Sequence, residues 1–232
     1  MKKTILAIIM LYLFAPFVLH AQEVSQLVEK VKAKIEQVKD YTASGKMKTN
    51  VSFLKVPVAN VVIYFKKPNR LKIKNEKGIS FVPKGTVSIN LNNVLSSGSY
   101  TALDAGVDKV AGMPVRVVKL LPSDDNADVV LSTLYIDEGR QVILRSRTTT
   151  RDNGSYELEM SYGKYVSFGL PDKIIFSFNT KEYKLPKGMT FDFDDGTAVK
   201  QEADKTKTKK GRAEITISSY NINKGLTDDV FK

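Results

Sequence analysis

Cysteine and tryptophan are absent from this 232-residue chain, and histidine occurs once. That histidine, His20, falls in an N-terminal stretch with the layout of an export signal. Residues 22–232 therefore hold neither His nor Cys. Their absence excludes Ser-His-Asp triads, cysteine nucleophiles, zinc sites built from His or Cys, and axial haem ligation by either. An enzyme would be left with carboxylate, Lys, Tyr and Ser/Thr chemistry. Apolar residues make up 42% and charged residues 26%, a balance that fits a globular protein and argues against global disorder.

Lys2 and Lys3 form a basic start, and Thr4 to Leu19 is an almost unbroken apolar run. Leu19-His20-Ala21 supplies a cleavage site before Gln22. The run is short for a membrane span and contains Pro16, so a cleaved signal peptide over 1–21 is expected. No Cys follows it, which excludes a lipid anchor at an N-terminal cysteine. The expectation is a soluble, exported protein with one domain over 22–232. Having no disulfides, it must rely on its core. Losing Lys2 and Lys3 lowers the formal net charge from +11 to +9. Such a balance suits an anionic partner, lipid headgroups or an acidic protein face. No nucleic-acid-binding motif is present, so no nucleic acid is expected as a partner.

The periodicity predicts one helix and then many strands. Val24, Leu27, Val28, Val31, Ile35 and Val38 recur at helical spacing, with Lys30, Lys32, Lys34, Glu36 and Lys39 elsewhere around the helix. This predicts an amphipathic helix over Glu23 to Asp40. After Tyr41 the period becomes two. Ala43, Met47, Val51 and Phe53 share one strand face; Ala59, Val61, Ile63 and Phe65 share the next. Leu71 and Ile73 then alternate with Arg70, Lys72 and Lys74. Further strands are predicted at 113–121, 129–136, 141–149, 156–162, 173–179 and 213–222, and a short helix at 91–97. Asp137-Glu138-Gly139 and Asp152-Asn153-Gly154 mark hairpin turns. Consecutive short strands joined by hairpins give an antiparallel sheet rather than βαβ units. So many strands in one sheet must curl. The predicted fold class is mainly β (α+β): one curved antiparallel sheet, an unclosed β-barrel, with the N-terminal helix and short helical segments over its concave apolar face. Asp194 to Arg212, rich in Lys and poor in apolar residues, is predicted to be a flexible hairpin tip.

Searches for reactive constellations fail. Asp124, Asn126 and Asp128 have the opening spacing of a calcium loop, but Val129 stands where that loop needs Gly and Tyr135 where it needs Glu. A polar turn is expected there. Ser96-Ser97-Gly98-Ser99 is neither a nucleophile elbow nor a phosphate loop, and Ser161-Tyr162-Gly163-Lys164 has Ser-x-x-Lys spacing without its supporting motifs. Glu157 and Glu159 alternate with apolar residues and are expected to face solvent. No catalytic residue, metal site or cofactor is expected.

What the strands do offer is apolar surface. Met47, Phe53, Ile63, Phe65, Leu71, Ile73, Met113, Val115, Val117, Leu158, Met160, Phe176 and Phe178 project from them in alternating sets. A filled core or a hollow for an acyl chain would use the same residues, Met and Phe being suited to ligands of variable shape.

The chain resembles the LolA/LolB-like group of periplasmic lipoprotein carriers over most of its length after the signal. The carrying segments are the helix ending in Val38-Lys39-Asp40-Tyr41-Thr42-Ala43 and the strand pair Val62-Ile63-Tyr64-Phe65-Lys66-Lys67-Pro68-Asn69-Arg70-Leu71-Lys72-Ile73. The paired strands of Val130 to Arg147, the return through Gly169-Leu170-Pro171 and the tail Tyr220 to Phe231 follow in order. The resemblance implies a periplasmic, monomeric carrier that binds lipoprotein acyl chains, or lipids, in an apolar cavity. It implies partners at both membranes, release machinery at the inner and an acceptor at the outer. It also implies that Arg70 holds the helix lid closed by hydrogen bonds to backbone carbonyls, an exposed strand charge being the alternative, with Leu27, Val31 and Ile35 on the lid's apolar side. Two other readings stay open on the residues alone: a sensor or scaffold of similar fold that binds a protein partner, and an enzyme using carboxylate or Ser-Lys chemistry.

Overall fold

Alternating side chains commit most of the chain to one sheet, and the apolar stripe of the N-terminal helix commits that helix to one face of it. The computed structural model describes residues 23–51, 54–55, 58–68, 70–75, 80–81, 95, 99–151, 154–179 and 210–231. The signal segment, Phe53 and the predicted hairpin tip as far as residue 209 lie outside the described residues; its last three residues, Lys210 to Arg212, are not a flexible tip but the start of the last strand, paired with its neighbours. Of the segment 91–97 only Leu95 is described; it is helical and buried.

Helix α1 spans 23–36. Val24, Val28 and Val31 are its buried stripe, one and two turns apart, while Glu23, Gln26, Glu29 and Lys30 face out. The helix stops four residues before the end that its sequence pattern predicts. The reason is a contact from the far end of the chain. Asn223 accepts from the Lys39 N–H at 2.7 Å through Oδ1 and donates to the Gln37 carbonyl at 2.9 Å through Nδ2. The Asn223 N–H also bonds the Asp40 carbonyl at 2.8 Å. Val38 turns its side chain into the core, and the strand begins at Asp40.

The strands are β1 (Asp40–Val51), β2 (Leu54–Lys55), β3 (Ala59–Lys66), β4 (Arg70–Asn75), β5 (Ser80–Phe81), β6 (Tyr100–Val110), β7 (Met113–Pro122), β8 (Val129–Asp137), β9 (Val142–Thr150), β10 (Gly154–Ser161), β11 (Lys173–Asn179) and β12 (Lys210–Ile222). They form one twelve-stranded sheet in the order β5-β4-β3-β1-β12-β11-β10-β9-β8-β7-β6, with β2 folded back on β1. Neighbours run antiparallel. The β1–β12 pair, from Tyr41 opposite Ile222 to Asn50 opposite Arg212, joins the two ends of the chain in the middle of the sheet. Among the described residues the sheet is unclosed, with β5 and β6 at its two ends.

Strand β6 is absent from the sequence reading. It is an edge strand with a bulge between Asp104 and Val107, where Gly106 takes φ +87°. Leu103 and Val107 face solvent, so no buried alternation marks the strand. Its hairpin to β7 turns through Ala111 and Gly112, both at positive φ. The turn after Asp124 is the expected polar one: the Asp124 carboxylate accepts from the Asn126 N–H at 2.9 Å.

Apolar residues gather in three clusters. The larger one lies under α1, where Val24, Val28, Val31 and Leu95 meet Val118 and Leu120 of β7, Leu134 and Ile136 of β8, and residues of β9 to β11. The second lies on β1, β3, β4 and β12, beside Val38 and Leu170. The third is small and joins Val110, Val115, Val142 and Leu144.

Candidate functional site

The inner face of the sheet carries two apolar clusters, the first under α1 and the second beside Val38 and Leu170. Leu158, Met160, Phe176 and Phe178 belong to the first cluster; Met47, Ile63, Phe65 and Ile73 belong to the second, with Leu71 packed against it. The structure thus brings nine of the sequence-derived lining residues into two adjoining clusters. Strand pairing explains the grouping, because Leu158 sits opposite Phe176, Met160 opposite Ile174 and Ile63 opposite Ile73. Aromatic rings stiffen both clusters. Phe176 lies 5.6 Å from Tyr156 and 5.2 Å from Phe178, and Tyr220 lies 5.2 Å from Tyr41 and 4.9 Å from Tyr165 between ring centres. Burial pushes the phenols of Tyr41, Tyr162 and Tyr220 up, so they stay neutral donors. Tyr220 donates to the Pro171 carbonyl at 2.8 Å and Tyr162 to the Ile143 carbonyl at 3.0 Å.

Met113, Val115 and Val117 do not join this face. Val118 and Leu120 occupy the α1 side of β7, so the odd-numbered residues project the other way. Val115 lies in the small third cluster, Val117 is buried outside all three, and Met113 is 37% exposed. Both sets on β7 are apolar, which is why the sequence pattern selected the wrong parity.

On α1, Val31 is buried and Leu27 and Ile35 pack against the first cluster, as a covering helix requires. Arg70 does something other than hold helix carbonyls. It stands opposite Lys66 across the β3–β4 pair, and its Nη1 lies 2.8 Å from Asp228 of the C-terminal tail. Lys66 Nζ reaches the same carboxylate oxygen at 2.7 Å and the Leu226 carbonyl at 2.7 Å. Hydrogen bonds from Lys66 and then Arg70 hold the Asp228 carboxyl below the usual carboxylate range. The bond to a helix carbonyl comes instead from Lys67, whose Nζ donates to Glu36 O at 2.6 Å. Lys34 reaches from α1 to the Arg140 carbonyl, and Tyr100 donates to Glu29 Oε1 at 2.9 Å. The buried Asp40 carboxylate accepts from the N–H groups of Lys224 at 3.0 Å and Gly225 at 3.1 Å, so the tail is pinned just after the helix. These residues escaped the sequence reading. Lys67 is, in sequence, only a lysine between two predicted strands, and no local pattern couples Asn223 to Lys39.

Beside the first turns of α1 is a cavity of about 260 Å³, lined by Val24, Leu27, Lys30, Arg116, Glu138 and Gln141 among others. Arg116 crosses it, with Nε 2.7 Å from Glu138 and Nη1 3.3 Å from Asp104. The hydrogen bond to Glu138 chiefly raises the Arg116 pKa, keeping the pair charged. On the outer face, Glu157 and Glu159 are tied up by Arg147 and Arg145 at 2.8 and 3.0 Å. Among the described residues no three carboxylates gather as metal ligands, and no helix is long and apolar enough to cross a membrane.

No protein-family model matches the chain, and a search of curated proteins finds no relative. Solved structures do match. A domain assigned to outer membrane lipoprotein sorting from Vibrio parahaemolyticus superposes with a TM-score of 0.59 at 11% identity, over 91% of this chain and 97% of that one. A DUF1329 family protein from Desulfovibrio piger gives 0.57 at 13% identity, over 90% and 97%. A LolA superfamily protein from Nitrosomonas europaea gives 0.54 at 11% identity, again over 90% and 97%. Likeness at such low identity, spanning nearly the whole of each chain, is likeness of architecture: the chain has the LolA-like fold, an unclosed antiparallel barrel with an N-terminal helix on its apolar face.

Proposed function

We propose that the protein is a non-enzymatic carrier, exported to the periplasm through a cleaved signal peptide. It takes the acyl chains of lipoproteins or lipids under α1 and shuttles them toward the outer membrane as a monomer. The inner-membrane release machinery and an outer-membrane acceptor are its expected partners. One observation carries the reading: helix α1 lays an apolar stripe over the larger apolar cluster of an antiparallel sheet that is unclosed among the described residues. Lifting α1 exposes Val24, Val28 and Val31, at about 1.5–3 kcal/mol each, or about 5–9 kcal/mol in all. An acyl chain burying about twelve methylenes returns about 10 kcal/mol at ~0.8 kcal/mol per CH₂. The two are close enough for exchange, which a carrier needs and a rigid core does not.

Native mass spectrometry of the protein without its signal segment tests this. After incubation with a diacylated lipoprotein, a one-to-one adduct is expected that the non-acylated form does not give. A folded protein that forms no acyl-dependent adduct would refute the carrier function and leave the concave face as a closed core.

A further inference from the structure

Strand β9 lays short hydroxyl side chains along the floor of the apolar face. Ser146 and Thr148 are fully buried on the α1 side of β9, Thr150 nearly so, and Ser132 of β8 is buried beside them. Their cross-strand neighbours are mostly large. Leu134 and Leu158 stand opposite Ser146 on either side, and Tyr156 stands opposite Thr148, with Phe176 and Phe178 one strand further on. Short side chains between taller apolar ones make a furrow in side-chain height along β9, on the face that carries the first cluster.

The hydroxyls are not equally satisfied. Ser132 Oγ and Thr148 Oγ1 bond each other at 3.1 Å, Tyr156 bonds Thr148, and Thr150 Oγ1 donates to the Gly154 carbonyl at 2.9 Å. Ser146 Oγ is buried with no hydrogen-bond partner among the described residues. An orphaned hydroxyl destabilises a core, and alanine would fill the position without that penalty. A core built only for packing gives no reason for it.

We propose that this furrow seats the acyl ester of the cargo. Ser146 Oγ donates to the ester carbonyl oxygen at the head of an acyl chain, and the chain lies between the walls of β8 and β10 once α1 has lifted. The inference rests on the carrier function and adds its polar specificity. A hydrocarbon chain has no polar atom except at its linkage, so the linkage is where an otherwise apolar site can recognise it. An ester offers a carbonyl acceptor there; an ether does not offer one. The ester can belong to a diacylated lipoprotein N-terminus or to a free diacylglycerol.

The test compares binding of the full protein and its Ser146→Ala variant to a diacylglycerol and a diacylated lipopeptide. Each is presented as the diester and as the matching diether. The native protein is expected to bind the diester about tenfold more tightly, the effect of one net hydrogen bond. Ser146→Ala is expected to bring the diester down to the diether level and to unfold at the same or a higher urea concentration. If only the lipopeptide shows this, the seat is for lipoproteins; if both do, it accepts glycerolipids too. Equal binding of diester and diether by the native protein, or an undiminished preference in Ser146→Ala, overturns the ester seat while leaving the carrier function intact. Absence of binding to every acylated ligand overturns both. The native comparison needs no variant and stands even if Ser146→Ala folds poorly.

Discussion

If α1 is a lid, weakening its packing must lower stability and raise cargo affinity together. Val28 is the residue to use, because it is fully buried in the centre of the helix stripe. Val28→Ala removes two carbons, about 1.6 kcal/mol of burial at ~0.8 kcal/mol per methylene. A residual cavity of about 40 Å³ adds about 1 kcal/mol, at ~24 cal/mol per Å³. Alanine's better helix propensity returns roughly 0.5 kcal/mol. The net loss is about 2 kcal/mol. The same 2 kcal/mol lowers the cost of lifting the helix. If opening limits binding, the apparent affinity for a diacylated ligand should rise up to about thirtyfold. Stability is read by urea unfolding with far-UV circular dichroism, since the chain has no Trp. Affinity is read by titration of the same samples. A floor variant supplies the contrast. Leu158→Ala, on β10 and also buried, should cost about 2–5 kcal/mol and weaken binding. If Val28→Ala loses stability with affinity unchanged or reduced, cargo does not enter beneath α1 and the lid argument fails.

The C-terminal tail gives the other predictions. Asn223→Ala leaves the Lys39 N–H and Gln37 carbonyl without their partner, and should cost about 1–3 kcal/mol in urea unfolding. Hydrogen exchange should quicken at 37–40 before it does at β9; unchanged exchange there would show that the helix end holds without Asn223. Asp228, with its carboxyl lowered by Lys66 and then Arg70, contributes stability that is present above its unfolded pKa. That contribution is lost as pH falls through the folded value, so the tail should loosen in acid. The chemical shifts of Leu226 and of the Lys66 side chain should therefore show a step below the usual carboxylate range in the native protein, and that step should be missing in Asp228→Asn; superimposable titrations would mean the tail is held by other contacts.

The readable parts of the fold are those whose stabilisation is local and periodic. The α1 stripe and the strands from β7 to β12 were visible because each carries a run of buried apolar or alternating residues and its neighbour in sequence is its neighbour in space. The parts that were not readable fail in ways that physics explains. Edge strand β6 buries too little to alternate. The end of α1 is fixed by a residue 184 positions away. Strand β7 carries apolar residues on both faces, so hydropathy could not choose between Val115 and Val118. Arg70 lay in the expected segment but found an acid in the tail, leaving the helix carbonyl to Lys67.

Strand β9 is the most instructive case: its place is legible in the sequence, its buried face is not. Its run Arg145-Ser146-Arg147-Thr148-Thr149-Thr150 reads as polar on both sides, the signature of a solvated ribbon. In the fold the two sides are opposites. Arg145 and Arg147 meet Glu159 and Glu157 on the outer face, while Ser146, Thr148 and Thr150 sink beneath a helix of valines. No hydropathy scale separates them, because a hydroxyl costs little at a surface and much in a core. The difference comes entirely from register, set by the β8 and β10 pairings. A pattern search for an acyl site looks for the most apolar residues, and those only supply the walls. The selective group is a polar one in their midst, and it becomes visible only when strand register puts Ser146 between those walls and its hydroxyl finds no partner among the described residues.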